Sequence, residues 1–272
     1  MTTQTKFGLL FAAIIAVAGC GGPVLDINTP SELHQSQATE VLARTAVAPA
    51  RNVRRHQISS TVDRVAWRVR AASHSICIEL QLPYERCEEV RTAQINVETY
   101  NNDPNAYADL DGNIGLHGGL VRISGSDDEI AAVLAHEFAH VMYGHVDSKM
   151  NNTLVGMTIG AGLASAFAEN DPRMTEGLVE LGGDIGSTAY SVEMEVEADR
   201  TAIYILKRAG FRPTAMRDTI VRLSREDVRR QASGMGSVGF LQTHPSNDWR
   251  VAHILSAIED AEYGVPLIIA VY

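Results

Sequence analysis

The chain has 272 residues, a formal net charge of −10, 45% hydrophobic residues and three cysteines. That length suffices for one large domain with a real core, and the acidic balance excludes a broad phosphate-neutralising surface, so no nucleic-acid partner is expected. Arg51, Arg54, Arg55, Arg64, Arg68 and Arg70 make one stretch locally basic, but they alternate with Ile58, Val62, Val65, Ala66 and Val69 at helical spacing, the pattern of a solvated helix face.

At the front, Lys6 precedes an apolar run from Phe7 to Val17, and Val17-Ala18-Gly19-Cys20 fits a bacterial lipoprotein signal with Cys20 acylated. The run is short for a membrane span. Residues 1–19 are expected to be the signal peptide, 20–50 a lipidated N-terminus with a polar, loosely held tether and first helix, and 51–272 the folded domain. Gly21 in place of Asp suits transfer to an outer membrane, so a lipid-anchored position in the cell envelope, facing the periplasm, is expected.

Residues 57–73 predict an amphipathic helix carrying Trp67. Cys77 and Cys87 are the thiols left once Cys20 is acylated, and outside the cytoplasm such a pair tends to be oxidised, here across a turn containing Pro83. Their spacing is not that of a tight zinc knuckle. Gln94–Thr99 alternates as a half-buried strand and Leu120–Ile123 predicts another, so a small sheet precedes the next helix, with His117 at a strand end or on the surface.

Ser126-Asp127-Asp128-Glu129 reads as a capping box that opens a helix, apolar almost all round, running into His136-Glu137-Phe138-Ala139-His140. Two histidines four apart stack on one helix face and can point at a single ion, while Glu137, about 100° round the axis, can reach a water there as general base. His145, about 140° off that face, reads as structural. Leu154–Ala168 is apolar and rich in small residues; it is too short to cross a bilayer and suits close helix packing.

A hydrolytic zinc needs a third protein ligand and an open position. Ser191–Arg200 offers Glu193, Glu195 and Glu197 at the start of a helix that stops at Gly210 with Pro213 following, and spacing alone does not choose among the three. Glu195 and Asp199 share a face, so one could bind metal while the other orients a ligating histidine. Residues 213–230 and 245–260 read as further helices, and Gly234–Gly239 as a flexible run able to let the following segment gate a site.

With Glu195-Val196-Glu197-Ala198-Asp199 set beside His136–His140, the chain resembles the HtpX-like zinc metallopeptidases of peptidase family forty-eight, of the gluzincin type. The resemblance covers roughly residues 95–255 and includes Asn105-Ala106-Tyr107-Ala108 as an edge strand, Gly118-Gly119-Leu120-Val121 as the next strand, and Thr243-His244-Pro245-Ser246 with Arg250. It implies His136, His140 and Glu195 as ligands of one Zn2+, Asp199 as their helper, and a mostly helical α+β zincin-like fold with a small sheet beside the HExxH helix. It also puts His244 near the site, either steadying the oxyanion or capping the zinc at rest. Val192 departs from the Arg that many members carry after the Tyr-Ser pair.

The expected activity is metalloendopeptidase: zinc activates water, Glu137 moves its proton to the leaving amine, and an extended substrate adds beside Asn105–Ala108 through main-chain hydrogen bonds. Such binding reads unfolded chain, so misfolded or damaged envelope proteins are the expected clients. The alternative is a periplasmic chaperone or outer-membrane assembly factor whose zinc site is normally plugged by His244.

Overall fold

A computed structural model describes residues 24–168, 171–187 and 192–270. Cys20 and the leader lie outside them. The described residues form two compact units, one from 24–144 and 192–270, the other from 145–187.

In the larger unit the elements run α1 (Glu32–Arg44), a 3-10 turn (Arg55–Gln57), α2 (Ile58–Glu79), α3 (Tyr84–Thr92), β1 (Ile95–Glu98), β2 (Ala106–Ala108), β3 (Ile114–His117), α4 (Gly118–Ile123) and α5 (Asp127–Tyr143). After the smaller unit follow α8 (Val192–Ala209), α9 (Ala215–Ala232), α10 (Gly239–Thr243) and α11 (Asp248–Tyr263). This is the mostly helical α+β fold expected.

α5 is the axis of the core: every residue from Glu129 to Tyr143 is buried, so the helix is covered all round, with α2, α8, α9 and the sheet packed about it. Its start is set locally: the Ser126 side chain accepts from the Glu129 N–H. Glu129 does not complete the box on Ser126; its Oε2 accepts from Gly125 N–H and its carboxylate pairs with Arg222, which ties α5 to α9. Gly144, at φ 65°, closes the helix in a conformation that costs a residue with a Cβ.

The three strands are ordered β1-β3-β2, with β1 parallel and β2 antiparallel to β3, so β2 is an edge strand against α5. Residues 120–123, expected as a strand from their composition, and 118–121, expected as one from the family resemblance, are instead α4, and the strand is Ile114–His117. The physical reason lies in Gly118 and Gly119, whose missing Cβ atoms let the chain press on the Thr99 and Asn102 carbonyls: a Cβ on Gly119 would stand 2.2 Å from the Asn102 oxygen. That contact turns the chain out of the sheet. His117 ends β3 and is buried.

Part of the expected tether is not loosely held. Leu25 is buried, Asp26 N–H and Ala270 N–H pair across to Ile268 and Val24, and Leu25 N–H donates to the buried Glu197 carboxylate at 2.6 Å. A buried carboxylate must find donors, and this backbone amide is one. Cys77 and Cys87 are joined by a disulfide with Cα atoms 5.6 Å apart, linking α2 to α3 over the turn at Pro83.

The smaller unit is a hairpin of α6 (His145–Phe167) and α7 (Pro172–Ser187), packed closely along its length. Among the described residues no helix is long and apolar enough to cross a membrane.

Candidate metal centre

The 3.6-residue repeat of α5 places His136 and His140 on one face, and α8 brings Glu195 against them from the opposite side. His136 Nε2 and His140 Nε2 are 3.0 Å apart, and each lies 3.4 Å from a Glu195 oxygen. Together with His244, these residues offer ligand atoms that all fall within 4.8 Å of one another, and all four are buried. Of the three glutamates, Glu193 is exposed at the helix start and Glu197 turns to Leu25; Glu195 alone joins the cluster.

The arrangement fits a metal ion. Four donors held about 2.0–2.1 Å from one tetrahedral centre stand about 3.3 Å from each other, which is close to the separations seen. His136 Nδ1 lies 2.9 Å from Asp199 Oδ1, off the ideal hydrogen-bond angle, which assigns the ring proton to Nδ1 and leaves the Nε2 lone pair facing His140. Two imidazole nitrogens meeting in this way repel unless a cation or a proton lies between them. The charges agree: burial opposes a proton on His136, yet the Asp199 and Glu195 carboxylates overcome it and raise its pKa to about 9. A cavity that holds a proton so firmly is anionic enough to receive a cation.

Three buried carboxylates, Glu137, Glu195 and Asp199, are set against one guanidinium, that of Arg250. Arg250 comes from α11, whose N-cap Asn247 accepts from its N–H. Its Nε and Nη2 grip Asp199 at 2.5 and 2.8 Å, and Nη1 lies 2.6 Å from Glu195 Oε2 and donates to the His244 carbonyl at 3.0 Å. Although burial raises carboxylate pKa values, Arg250 above all, with His244 and His136, holds Glu195 well below the ordinary range, and Arg250, with His136, lowers that of Asp199. Burial disfavours charge on Arg250 as well, and the two carboxylates more than offset it. The sequence marks Arg250 only as part of a family segment. Charge accounting would have found its role, since three carboxylates brought to one dry site demand a cation.

Glu137 is fully buried one position along from His136, and neither of its oxygens makes a hydrogen bond of good geometry among the described residues. Burial pushes its pKa up against the pull of His244 and His136, so this carboxylate is a readier proton acceptor than a solvated one. His244, just after α10, has Nδ1 2.8 Å from Glu195 Oε1 and 3.3 Å from His136 Nε2, while its Nε2 lies 3.6 Å from Glu137 Oε1. Phe240 stacks on its ring at a centroid distance of 4.4 Å.

Of the expected substrate strand, Ala106 and Ala108 point inward and are buried while Tyr107 is exposed, its hydroxyl donating to Glu98 and its ring over Gly115. Asn105 precedes the strand, with its side chain accepting from Ala106 N–H and its carbonyl from His117 N–H. Next to it, the Pro104 carbonyl accepts from Phe240 N–H, so the segment carrying His244 is fastened at the entrance of the edge strand.

A central HExxH helix, a carboxylate from a second helix and an edge strand alongside define a metallopeptidase of the HExxH class. The model of peptidase family M48 matches residues 63–258, and the chain belongs to that family. It is 33% identical over 162 residues to the beta-barrel assembly-enhancing protease of Escherichia coli O157:H7, a match covering 56% of this chain and 32% of that protein. It is 29% identical over 161 residues to the metalloprotease LoiP of Escherichia coli K12, covering 59% of this chain and 61% of that one. The mitochondrial metalloendopeptidase OMA1 of Saccharomyces cerevisiae is 29% identical over 154 residues, covering 56% and 42%. The match therefore spans about a third of the beta-barrel assembly-enhancing protease and about three fifths of LoiP.

Proposed function

We propose that this chain is a zinc-dependent endopeptidase of the bacterial cell envelope, with His136, His140 and Glu195 as metal ligands and Glu137 as general base. The observation that carries this reading is the convergence of those three side chains beside a buried, proton-hungry carboxylate. Two imidazoles and a carboxylate suit zinc among divalent ions. When bound, the ion would polarise the scissile carbonyl and acidify water. Glu137 then accepts the water proton and returns it to the leaving amine, Asp199 holds the His136 ring in the tautomer that presents Nε2, and Arg250 fixes Asp199 and Glu195. An extended substrate adds along the free side of β2 at Asn105–Ala108.

Lipid anchoring through Cys20, an outer-membrane position facing the periplasm, and misfolded or damaged envelope proteins as clients complete the reading. It is supported by the Val17–Cys20 string and by relatives named for beta-barrel assembly and metalloprotease activity. The domain boundaries proposed are a leader to residue 19, an anchored stretch to 50 and the peptidase domain beyond. The test is metal content together with casein degradation, with and without chelator. One zinc per chain and chelator-sensitive cleavage are expected; a metal-free chain, or cleavage indifferent to chelator, would overturn the proposal.

A second reading has its own observation: His244 stands where a fourth ligand would stand, bonded to Glu195 and close to His136. A site so closed serves a chaperone or assembly factor in which proteolysis is rare. Glu137→Gln separates the two, since an inactive protease traps clients uncleaved whereas an assembly factor keeps its envelope phenotype.

A further inference from the structure

α8 buries three carboxylates at alternate positions, and the metal centre uses two of them, Glu195 and Asp199. Two steps of about 100° carry Glu197 to the far side of the helix from both. There it is fully buried, with Val196, Ala198, Ala202 and Ile203 buried along the same helix, and it accepts the Leu25 N–H at 2.6 Å.

The Leu25 amide is itself held in place. Asp26 N–H donates to the Ile268 carbonyl and Ala270 N–H to that of Val24, both at 2.8 Å, and the Leu25 side chain is buried. One turn beyond Glu197, Thr201 shares a hydrogen bond of 2.8 Å with the Tyr143 hydroxyl, and Tyr143 stands three residues past His140 on α5. This side of α8 is therefore tied both to the paired segments 24–26 and 268–270 and to the helix that carries the histidines.

Stability alone does not call for a carboxylate at this place. An apolar side chain of similar size would fill the space without the cost of desolvating a charge. What an apolar side chain lacks is direction: it slides over its neighbours at little cost, whereas a hydrogen bond weakens steeply once its distance and angle leave a narrow range. Direction matters on this helix, because ligand atoms about 5–6 Å from its axis are displaced by about 1 Å when it turns by about 10°. Metal–ligand distances tolerate only about 0.2 Å.

We propose that Glu197 is a positioning residue of the metal centre: by accepting from the Leu25 N–H on the far side of α8, it sets the rotation and height of that helix and so aims Glu195 and Asp199 at His136 and His140. The inference rests on the zinc reading above, and its test distinguishes the two.

The full chain is compared with Glu197→Leu and Glu197→Gln, each titrated with zinc against a competing chelator and each loaded with cobalt(II), whose visible absorption reports the geometry of its ligands. For Glu197→Leu the expected results are a Tm in chelator no lower than the parent's, a zinc affinity weakened about 10–100-fold, an altered cobalt spectrum and a lower kcat per bound metal on casein. Glu197→Gln still accepts the Leu25 N–H and should restore all of these to the parent's values. Parent affinity and parent spectrum in Glu197→Leu would overturn the proposal, as would a lowered Tm with the metal site unchanged, which makes Glu197 structural only. Should Glu197→Leu fail to fold, Leu25→Pro, which removes the donor, is set against Leu25→Ala, which keeps it. Weaker zinc binding in Leu25→Pro alone supports the proposal, and an equal loss in both overturns it. A parent that binds no metal removes the zinc reading and this inference with it, whereas a zinc-loaded parent beside an indifferent variant removes only the inference.

Discussion

The Arg250 guanidinium and the Asp199 carboxylate meet in a two-pronged ion pair, both side chains buried, and Asp199 in turn faces the Nδ1 of His136. Charge is therefore relayed from α11 through α8 to the ligand face of α5, and the geometry of the metal centre depends on a residue that touches no metal ligand atom except Glu195 Oε2. Replacing Arg250 by Met leaves two carboxylates buried without their cation, a loss of about 3–5 kcal/mol by the general cost of breaking a buried pair. We expect a much lower Tm in chelator for Arg250→Met and a partial recovery on adding zinc, because a dication supplies the missing charge. Thermal unfolding of parent and variant, each with and without zinc, measures both; an unchanged Tm in chelator would show that the pair contributes no stability.

The ligands and the base separate cleanly by two measurements. Glu195→Gln and His140→Ala should lower zinc stoichiometry and activity together. Glu137→Gln should keep its zinc and lose about 10²–10⁴-fold in turnover, the usual contribution of a positioned proton carrier. Elemental analysis alongside casein cleavage decides, and a Glu137→Gln chain lacking zinc would recast that residue as a ligand.

Features built from one helix or from a short local string were legible in the sequence. The capping serine, the i, i+4 histidines and the glycine stop of α8 at Gly210 follow from helical geometry and cap chemistry alone, and Glu195 needed only the family likeness in addition. What was not legible depends on where the chain comes back. Arg250 reaches Asp199 across 51 residues, and Leu25 meets Glu197 across 172, so no local pattern announces either pairing. The strand misplaced at 120–123 has a different cause: Leu-Val-Arg-Ile has strand-like composition, and backbone crowding at Gly118 and Gly119 overrode it.

The bond between Cys77 and Cys87 spans a sequence separation of 10 and joins the end of α2 to α3. Closing a loop of that length constrains the unfolded chain by about 2–4 kcal/mol. Protein prepared without reductant should show no thiol at these positions to Ellman's reagent until it is unfolded and reduced. The Cys77→Ala/Cys87→Ala pair should unfold at a lower denaturant midpoint. Two reactive thiols in the unreduced chain would sink the bridge.

His253, on α11, is buried, meets the edge of Trp249 at a centroid distance of 4.6 Å, and has its pKa lowered to about 4, first by burial and then by Arg200, against a smaller pull from Asp199. The unfolded chain takes up this proton near pH 6.5 and the folded chain only near 4. Between those values the unfolded state binds more protons, so the contribution of neutral His253 is whole above pH 6.5, declines as pH falls, and is gone below 4, about 3 kcal/mol at most. His136 titrates in the opposite sense, its folded pKa being raised. The informative quantity is therefore the difference between parent and His253→Gln, both in chelator. Their urea-unfolding free energies should converge as pH is lowered from 6.5 to 4.5, because the variant lacks the group whose protonation penalises the fold. A gap that stays constant over that range would mean that His253 is protonated as easily in the folded chain as in the unfolded one.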